Sequence, residues 1–491
     1  MNRPVQLLFR GAVHSVTPSS IQRTVLQWLR EDQRACGTKE GCNEGDCGAC
    51  TVVIGELDAC GEVQLSAVNA CLQLLPALDR KALYTVEDLQ RLMASDALHP
   101  VQQAMVDGHG SQCGFCTPGF IMSLFAAYEQ RPSAPTRAVV EDVLSGNLCR
   151  CTGYRPIVDA ALAAYTQPRV ALNRESLQRQ LQALAELPSL QLSDNKASWY
   201  APTTLAELAA LRQSLPQARL VAGTTDVGLW VTKQLRDLDN LISVMAVAEL
   251  KQVQRRAEVL HFGAAASLQC CFELLNDEFP EWIELGRRFA SLPIRNAGTL
   301  GGNVANGSPI GDSMPGLVAL EARVVLRCGE QTRSLALEDF YLDYQKNALL
   351  PGEFLEAVQV PRRRPAQVLR FYKVSKRFDQ DISAVCVGIA FDHLDGTIVA
   401  PRVAYGGMAA IIKRAPCAQT ALAGQRLTLE AFEAAANAVA TDFQPLSDAR
   451  ASAAYRSEIA ANLLRRCGLE LTSVPPVARS IPLRLLDLAP I

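Results

Sequence analysis

Apolar and polar positions change period several times along the chain, and each change marks a new unit. Val5–Phe9 and Val13–Val16 flank Arg10-Gly11 as two short strands, and Thr17-Pro18-Ser19-Ser20 offers capping residues for the helical run IQRTVLQWLRED. TVVIGEL and EVQLSAV read as two further strands, giving a small mixed α/β unit that ends near Arg80. From about Tyr84 the period turns helical, and VEDLQRLM, HPVQQAMVDG, GFIMSLFAAYEQ, TRAVVEDVLSG and IVDAALAAY predict a second, all-helical unit. Residues 167–197 are rich in Leu, Gln and Ser without a firm boundary signal and read as a linker with some helix. Beyond Tyr200 come a helix (TTLAELAALRQ), a strand (RLVAG), a glycine turn and a helix (VGLWVTKQL), with strands recurring to about Val360. VCVGIAF and RVAYGGMA then predict two strands before a mostly helical end, so the last domain is α+β.

These patterns place domains at 1–83, 84–166, 198–364 and 365–491, with 167–197 between the second and third. A chain of 491 residues exceeds one hydrophobic core, and about three or four domains fit that length. Hydrophobic content of 49%, charged content of 20% and a net charge of -2 describe an ordinary globular protein, without the basic excess that attracts nucleic acid or anionic lipid. The first apolar run is broken at Arg10, too soon for a signal-peptide core, and nothing later approaches a membrane span, so a cytoplasmic chain is expected. Sixteen cysteines change this picture. Ten of them fall between Cys36 and Cys151 in tight, glycine-separated groups, a distribution that points to metal ligation in a reducing compartment rather than to a disulfide framework.

KEGCNEGDCGACTV spaces Cys42, Cys47 and Cys50 with four and then two residues between them, the spacing of plant-type ferredoxins. Gly41, Gly45 and Gly48 let a short loop wrap a [2Fe-2S] cluster and aim N–H groups at its sulfurs. Cys71, just after a strand, is favoured as the fourth ligand over Cys60, which sits in the turn-like LDACGE. In the helical unit SQCGFCTPGF places Cys113 and Cys116 at a helix start, and GNLCRCTGY places Cys149 and Cys151 after a helix end. Four such thiolates suit a second [2Fe-2S] cluster; a tetrahedral zinc site is the alternative. Further on, ARLVAGTTDVGLW and SLPIRNAGTLGGNVANGSPIGDSMP offer backbone N–H groups and the side chains of Asn303, Asn306, Ser308 and Asp312 to a phosphate-bearing ligand. Neither is a GxGxxG fingerprint, and ordinary turns are the competing reading.

GCNEGDCGAC, QCGFCTPG and NLCRCTGYRPI together resemble the iron-sulfur domains of the molybdenum hydroxylases, the family of xanthine dehydrogenase and aldehyde oxidase. The resemblance implies a multidomain α+β chain: a ferredoxin-like β-grasp domain, a helical-bundle [2Fe-2S] domain, an α+β FAD-binding domain of the vanillyl-alcohol oxidase type and a C-terminal α+β domain of the CO dehydrogenase flavoprotein type. By that likeness Cys42, Cys47, Cys50 and Cys71 hold the cluster nearer the flavin. Cys113, Cys116, Cys149 and Cys151 hold the one nearer molybdenum.

The same likeness assigns FAD to Leu220, Val221, Ala222, Gly223, Thr224, Thr225, Asp226 and Val227, and to Thr299, Leu300, Gly301, Gly302 and Asn303. Asp312 binds further along the cofactor, and Phe289, Leu355 and Lys373 match positions around its ring; a core Phe, a core Leu and a solvated Lys are the plain alternatives. FYKVSKRFDQDISAV resembles the loop that receives NAD+, with Asp381 and Tyr344 near the nicotinamide, although one residue is inserted and the roles of Arg377 and Asp379 stay open. Cys36, Cys270, Cys271, Cys328, Cys386, Cys417 and Cys467 are expected to be buried small hydrophobes.

With no stretch left for a molybdopterin domain after the flavin half, the implied protein is the electron-transfer subunit of a xanthine dehydrogenase. A molybdopterin-binding large subunit, in an α2β2 heterotetramer, would oxidise the purine, and no catalytic residue for that step is expected in this chain. The alternatives are the same subunit of an aldehyde, nicotinate or CO hydroxylase, or a stand-alone flavin electron-transfer protein.

Overall fold

A hairpin begins the chain, with β1 (Val5–Phe9) antiparallel to β2 (Ala12–Val16) across Arg10-Gly11. A second hairpin joins β3 (Thr51–Leu57) to β4 (Val63–Asn69), and β5 (Ala82–Tyr84) closes the sheet, parallel to β1 and antiparallel to β3. The strand order is β2-β1-β5-β3-β4. Alternate residues along these strands enter two different cores. Leu7, Phe9, Val52, Ile54 and Leu83 pack with Trp28 on one face, whereas Leu8, Val53, Leu65 and Ala82 pack with the helices on the other. Burial on both faces is why TVVIGEL reads as a continuous apolar run.

The computed structural model describes residues 3–93 and 96–472. They divide into two compact units. The first is the chain up to Gln252 with Ala265–Gln269 and Ala290–Thr299; the second is Val253–Ala264, Cys270–Phe289 and the chain from Leu300 onward.

In the first unit IQRTVLQWLRED departs from expectation. Its α-helix spans only Val25–Gln27 and passes into a π-turn at Trp28–Asp32, with Thr24 as the cap instead of the Thr17–Ser20 stretch. The cause is non-local: the backbone of Arg23–Val25 bonds to Gln73 and Leu75, which holds Thr24 extended opposite Leu74. VEDLQRLM likewise forms a 3-10 segment, Val86–Leu92, while the other four helix candidates appear as Pro100–Asp107, Thr117–Gln130, Arg137–Leu144 and Arg155–Ala163. Thr117–Gln130 is the central helix, buried at every position from Gly119 to Glu129.

The stretch expected as a linker carries a capped helix, Arg174–Ala185. Its Leu177, Leu181 and Leu184, spaced by four and three, complete the helical core. It also carries β6 (Leu190–Ser193), which joins β7 (Ser198–Ala201), β8 (Arg219–Val221) and β9 (Leu241–Ser243) in the order β6-β7-β9-β8.

The second unit holds a five-stranded sheet in the order β10-β11-β16-β12-β13: β10 (Val253–Arg255), β11 (Val259–Gly263), β12 (Arg323–Cys328), β13 (Gln331–Ala336) and β16 (Phe354–Pro361). A small pair, β14 (Tyr341–Asp343) and β15 (Lys346–Asn347), lies between β13 and β16 in sequence. The four-stranded sheet that follows is β17 (Gln367–Val374), β18 (Val385–Leu394), β19 (Thr397–Gly406) and β20 (Lys413–Arg414), so VCVGIAF and RVAYGG are strands as expected. Helices Pro416–Leu422, Leu429–Ala438 and Ala453–Thr472 complete the described part of the last domain; residues 473–491 lie outside the described residues.

Helix Ser313–Ala319 packs on β18 and β19, and this contact fixes Asp312 at its start. It depends on Gly388, where a Cβ would stand 2.5 Å from the Pro315 carbonyl oxygen. Gly388→Ala is therefore expected to push the helix off the sheet and to destabilise the chain by about 1–3 kcal/mol, read as a lower denaturation midpoint.

Candidate iron-sulfur and flavin sites

The loop between the π-turn and β3 brings two cysteines face to face. The backbone N–H of Cys42 points at Cys47 Sγ and that of Cys47 at Cys42 Sγ, both at 3.3 Å, and Glu44 N–H adds a third contact to Cys42 Sγ at 3.4 Å. The other two cysteines of the group are buried, with Cys50 Sγ and Cys71 Sγ 3.3 Å apart. A hydrogen bond from the Cys47 thiol, helped by the amides of Cys47, Glu44 and Asp46, outweighs burial and lowers the Cys42 thiol to about 5. The Cys71 thiol acts in the same way on Cys50, while Cys47 and Cys71, as the donors, are held protonated. Donors of this kind favour the anionic form, the one that ligates a metal, at Cys42 and Cys50. Cys60 stands exposed in the Asp58–Gly61 turn between β3 and β4.

The second group forms where helices end. Cys116 caps helix Thr117–Gln130, Cys113 precedes it, and Cys149 and Cys151 lie on the loop between helices Arg137–Leu144 and Arg155–Ala163. Cys151 lowers the Cys113 thiol and is raised by it, and Cys116 and Cys149 act on each other in the same way, Cys149 being the one lowered. Burial raises Cys149, yet the Thr152 hydroxyl at 3.3 Å and the amides of Cys151 and Thr152 at 3.4 and 3.5 Å bring it down to about 7. Cys116 is pushed up to about 12 by burial first and by Cys149 second, which its own amide offsets only in part. Tyr154 holds the loop, its hydroxyl accepting from Cys149 N–H at 3.0 Å. In the first group the sulfurs lie two by two, Cys42 with Cys47 and Cys50 with Cys71.

The two cysteine loops are tied to each other. Leu148 N–H donates to the Cys47 carbonyl at 3.0 Å, and the buried Asn147 amide donates to Gly48 O and Thr51 Oγ1, both at 3.2 Å. Ser123 Oγ donates to Asn147 Oδ1 at 2.6 Å, so both ends of the amide are used. Gly48 has a φ of +69° and its Cβ position lies 2.0 Å from Gly146 O, so only glycine fits there. Asn147 is a site residue that the sequence reading passed over; its one signal was the GNLCRC context.

The stretches expected to bind FAD fall in both units. In the first, Gly223 leans on the backbone of Ala297-Gly298, with its Cβ position only 1.6 Å from Ala297 O, and Thr299 is buried two residues further on. Leu220–Val227 thus runs from the end of β8 through a tight turn into the start of helix Val227–Thr232. In the second, Leu300–Asn303 begins helix Leu300–Asn306, and Gly301 lies on Ala264, where a Cβ would stand 2.5 Å from Ala264 Cα. Asn303 accepts from Ser313 Oγ.

Asp312 is buried and accepts from Lys373 Nζ at 2.7 Å and from Ser383 Oγ. The Lys373 ammonium spends its other two donors on Arg288 O at 2.9 Å and Asp381 O at 2.8 Å. That burial excludes the solvated alternative for Lys373. Phe289 meets Phe272 edge-on at 5.2 Å, and Leu355 is buried in β16. Tyr344 is exposed on the turn between β14 and β15, and Asp381 closes the Arg377 loop by accepting from Arg377 N–H at 2.9 Å.

The remaining cysteines correct an expectation. Cys271, Cys386 and Cys467 are buried, but Cys36, Cys270 and Cys417 are exposed and Cys328 is half-buried. Cys270 and Cys271 are consecutive on one helix, so their side chains point about 100° apart and only one of them reaches the core. Among the described residues no helix is long and apolar enough to cross a membrane.

Residues 85–162 match the [2Fe-2S] binding domain, 194–363 the FAD binding domain in molybdopterin dehydrogenase, and 370–471 the CO dehydrogenase flavoprotein C-terminal domain. The chain belongs to the molybdenum hydroxylase family and carries its iron-sulfur and FAD-binding domains. Within that family it is 32% identical over 511 residues to xanthine dehydrogenase of Drosophila subobscura, a match that takes in 92% of this chain and 38% of the fly protein. The chain therefore spans little more than a third of that relative. A solved structure of carbon monoxide dehydrogenase from Hydrogenophaga pseudoflava, lacking the Mo-pyranopterin moiety of its cofactor, matches with a TM-score of 0.53 and 25% identity, covering 55% of this chain and 95% of that one. Quinoline 2-oxidoreductase from Pseudomonas putida 86 gives a TM-score of 0.51 at 25% identity, covering 56% and 96%.

Removing the amide that ties the two cysteine loops leaves the buried Ser123 hydroxyl without its acceptor and cuts the link to Gly48 O, which keeps the Thr51 amide and hydroxyl as donors. Asn147→Ala is expected to cost about 1–3 kcal/mol, measured by urea denaturation of the chain.

Proposed function

We propose that this chain is the electron-transfer subunit of a xanthine dehydrogenase, working with a molybdopterin-binding partner subunit that hydroxylates a purine. The observation that carries the proposal is two groups of four cysteines on neighbouring loops, with backbone amides aimed at sulfur. A [2Fe-2S] cluster needs two thiolates per iron, and each cysteine group offers two such pairs. The ligands are then Cys42 with Cys47 and Cys50 with Cys71 for one cluster, and Cys113 with Cys151 and Cys116 with Cys149 for the other. When bound, the clusters supply one-electron carriers and FAD gathers two electrons for delivery to NAD+.

The chain's own residues hold and shield these groups. Glu44, Cys47, Cys151 and Thr152 present amide hydrogens to sulfur, which favours the thiolate and offsets its charge. Backbone amides of Leu220–Val227, Thr299 and Leu300–Asn303 are the proposed donors to the pyrophosphate and ribityl chain, with Gly223 and Gly301 packed against Ala297 and Ala264 to set those turns. Phe289 and Leu355 supply apolar surface to the flavin ring. Lys373, its donors taken up within the protein, holds Asp312 and the Asp381 loop in place. Asp381 and Tyr344 are the proposed neighbours of NAD+. No side chain here need act on the purine.

A second reading has its own support: carbon monoxide dehydrogenase and quinoline 2-oxidoreductase match this chain at 25% identity, so the partner could act on a different substrate. Reconstitution with the partner separates the two. Xanthine-dependent NADH formation is the expected result, and activity with an aldehyde, quinoline or CO but not with xanthine would overturn the substrate assignment. Cys149→Ser is expected to remove one of two cluster EPR signals from the reduced chain, whereas Cys60→Ser leaves both.

A further inference from the structure

We propose that Gln73 and Thr224 form a latch joining the segment after Cys71 to the glycine loop Leu220–Val227, so that a group bound at either one is felt at the other. The inference rests on the reading of Cys71 as a cluster ligand and of Leu220–Val227 as a flavin loop. Both segments lie in the first unit.

The latch is reciprocal. Gln73 Nε2 donates to Gly223 O at 3.0 Å, and Thr224 Oγ1 donates to Leu72 O at 2.8 Å. Each segment thus gives one side-chain donor to a backbone carbonyl of the other, and both side chains are buried, Gln73 at 7% and Thr224 at 4% exposure. Neither segment can move alone without stranding a buried carbonyl, the costly direction of hydrogen-bond loss.

Two further observations show that this contact is built in. Thr224 has a φ of +57°, a conformation rare for a β-branched residue, and in it the hydroxyl reaches Leu72. Gly228, on the helix that follows, lies against the same residue: a Cβ there would stand 2.8 Å from Leu72 O and 3.1 Å from its Cα. The cysteine side is firmly held as well. Val25 N–H bonds to Gln73 O at 2.8 Å, Leu72 N–H to Asn69 O at 3.1 Å and Leu75 N–H to Arg23 O at 2.8 Å. The flavin loop is therefore fastened to a fixed segment that begins one residue after Cys71.

Gln73 acts here as a positioning residue, and linkage requires its effect to run in both directions. The test uses the whole chain with its clusters, compared with and without FAD by amide hydrogen exchange and by visible circular dichroism of the clusters. In the wild type FAD is expected to slow exchange about fivefold at residues 69–75 as well as at 220–227, and to change the dichroism. In Gln73→Met, close in volume and without a donor, the protection stays confined to 220–227 and the dichroism ceases to respond. Gln73→Glu, which keeps the length but loses the amide donor, gives the same loss. If Gln73→Met no longer holds FAD, exchange of 220–227 in the FAD-free chain decides: faster than wild type supports the latch, unchanged overturns it. A wild type that binds both groups yet shows no response at 69–75, or a Gln73→Met that keeps the full response, also overturns it. A wild type that binds neither iron nor FAD would instead overturn the proposed function.

Discussion

The pairing of sulfurs inside loops whose amide hydrogens point at them is the constraint that the first unit is built around. Thiolates are costly to bury, and the chain meets that cost with backbone donors from Glu44, Cys47, Cys151 and Thr152 rather than with cationic side chains. Backbone donors demand a tightly folded loop, and a tight loop needs close backbone contact. Gly48 lies against Gly146, Leu148 bonds to Cys47, and Asn147 binds both loops at once.

The surrounding elements hold that geometry from outside. The inner strands β1, β3 and β5 are buried on both faces, one side forming a core with Trp28 and the other with the central helix Thr117–Gln130. A helix whose start is capped by Cys116 and whose length is buried cannot fray at the cysteine, because it would expose its own core side chains. In the second unit a different network does similar work: Lys373, Asp312, Arg288 and Ser383 bind one another in the interior, and Arg288 reaches Phe378 O and Ser375 Oγ on the loop beyond β17.

What could be read in the sequence was mostly local. The 4-and-2 cysteine spacing, the two hairpins, four of the five early helices and the late strands depend on neighbours within a few residues, and the structure has them. What could not be read depended on partners far along the chain. Thr24 starts the first helix because residues 23–25 pair with 73–75, and nothing in IQRTVLQWLRED announces that. Asn147 and Gln73 look like ordinary polar residues until Gly48 and Gly223, 99 and 150 positions away, turn out to be their partners. The supposed linker was hidden for the same reason, since its leucines matter only against the helical core. Cysteine burial was over-generalised: small and apolar does not mean inside when a helix turns its neighbour inward, as at Cys270 and Cys271.

X-ray absorption at the iron edge, on chain purified without oxygen, tests the central claim most directly. The account predicts four irons per chain, every one in an all-sulfur shell with a second iron as its nearest metal neighbour. Isolated metal ions with no metal neighbour, or zinc in place of iron at either cysteine group, would contradict it.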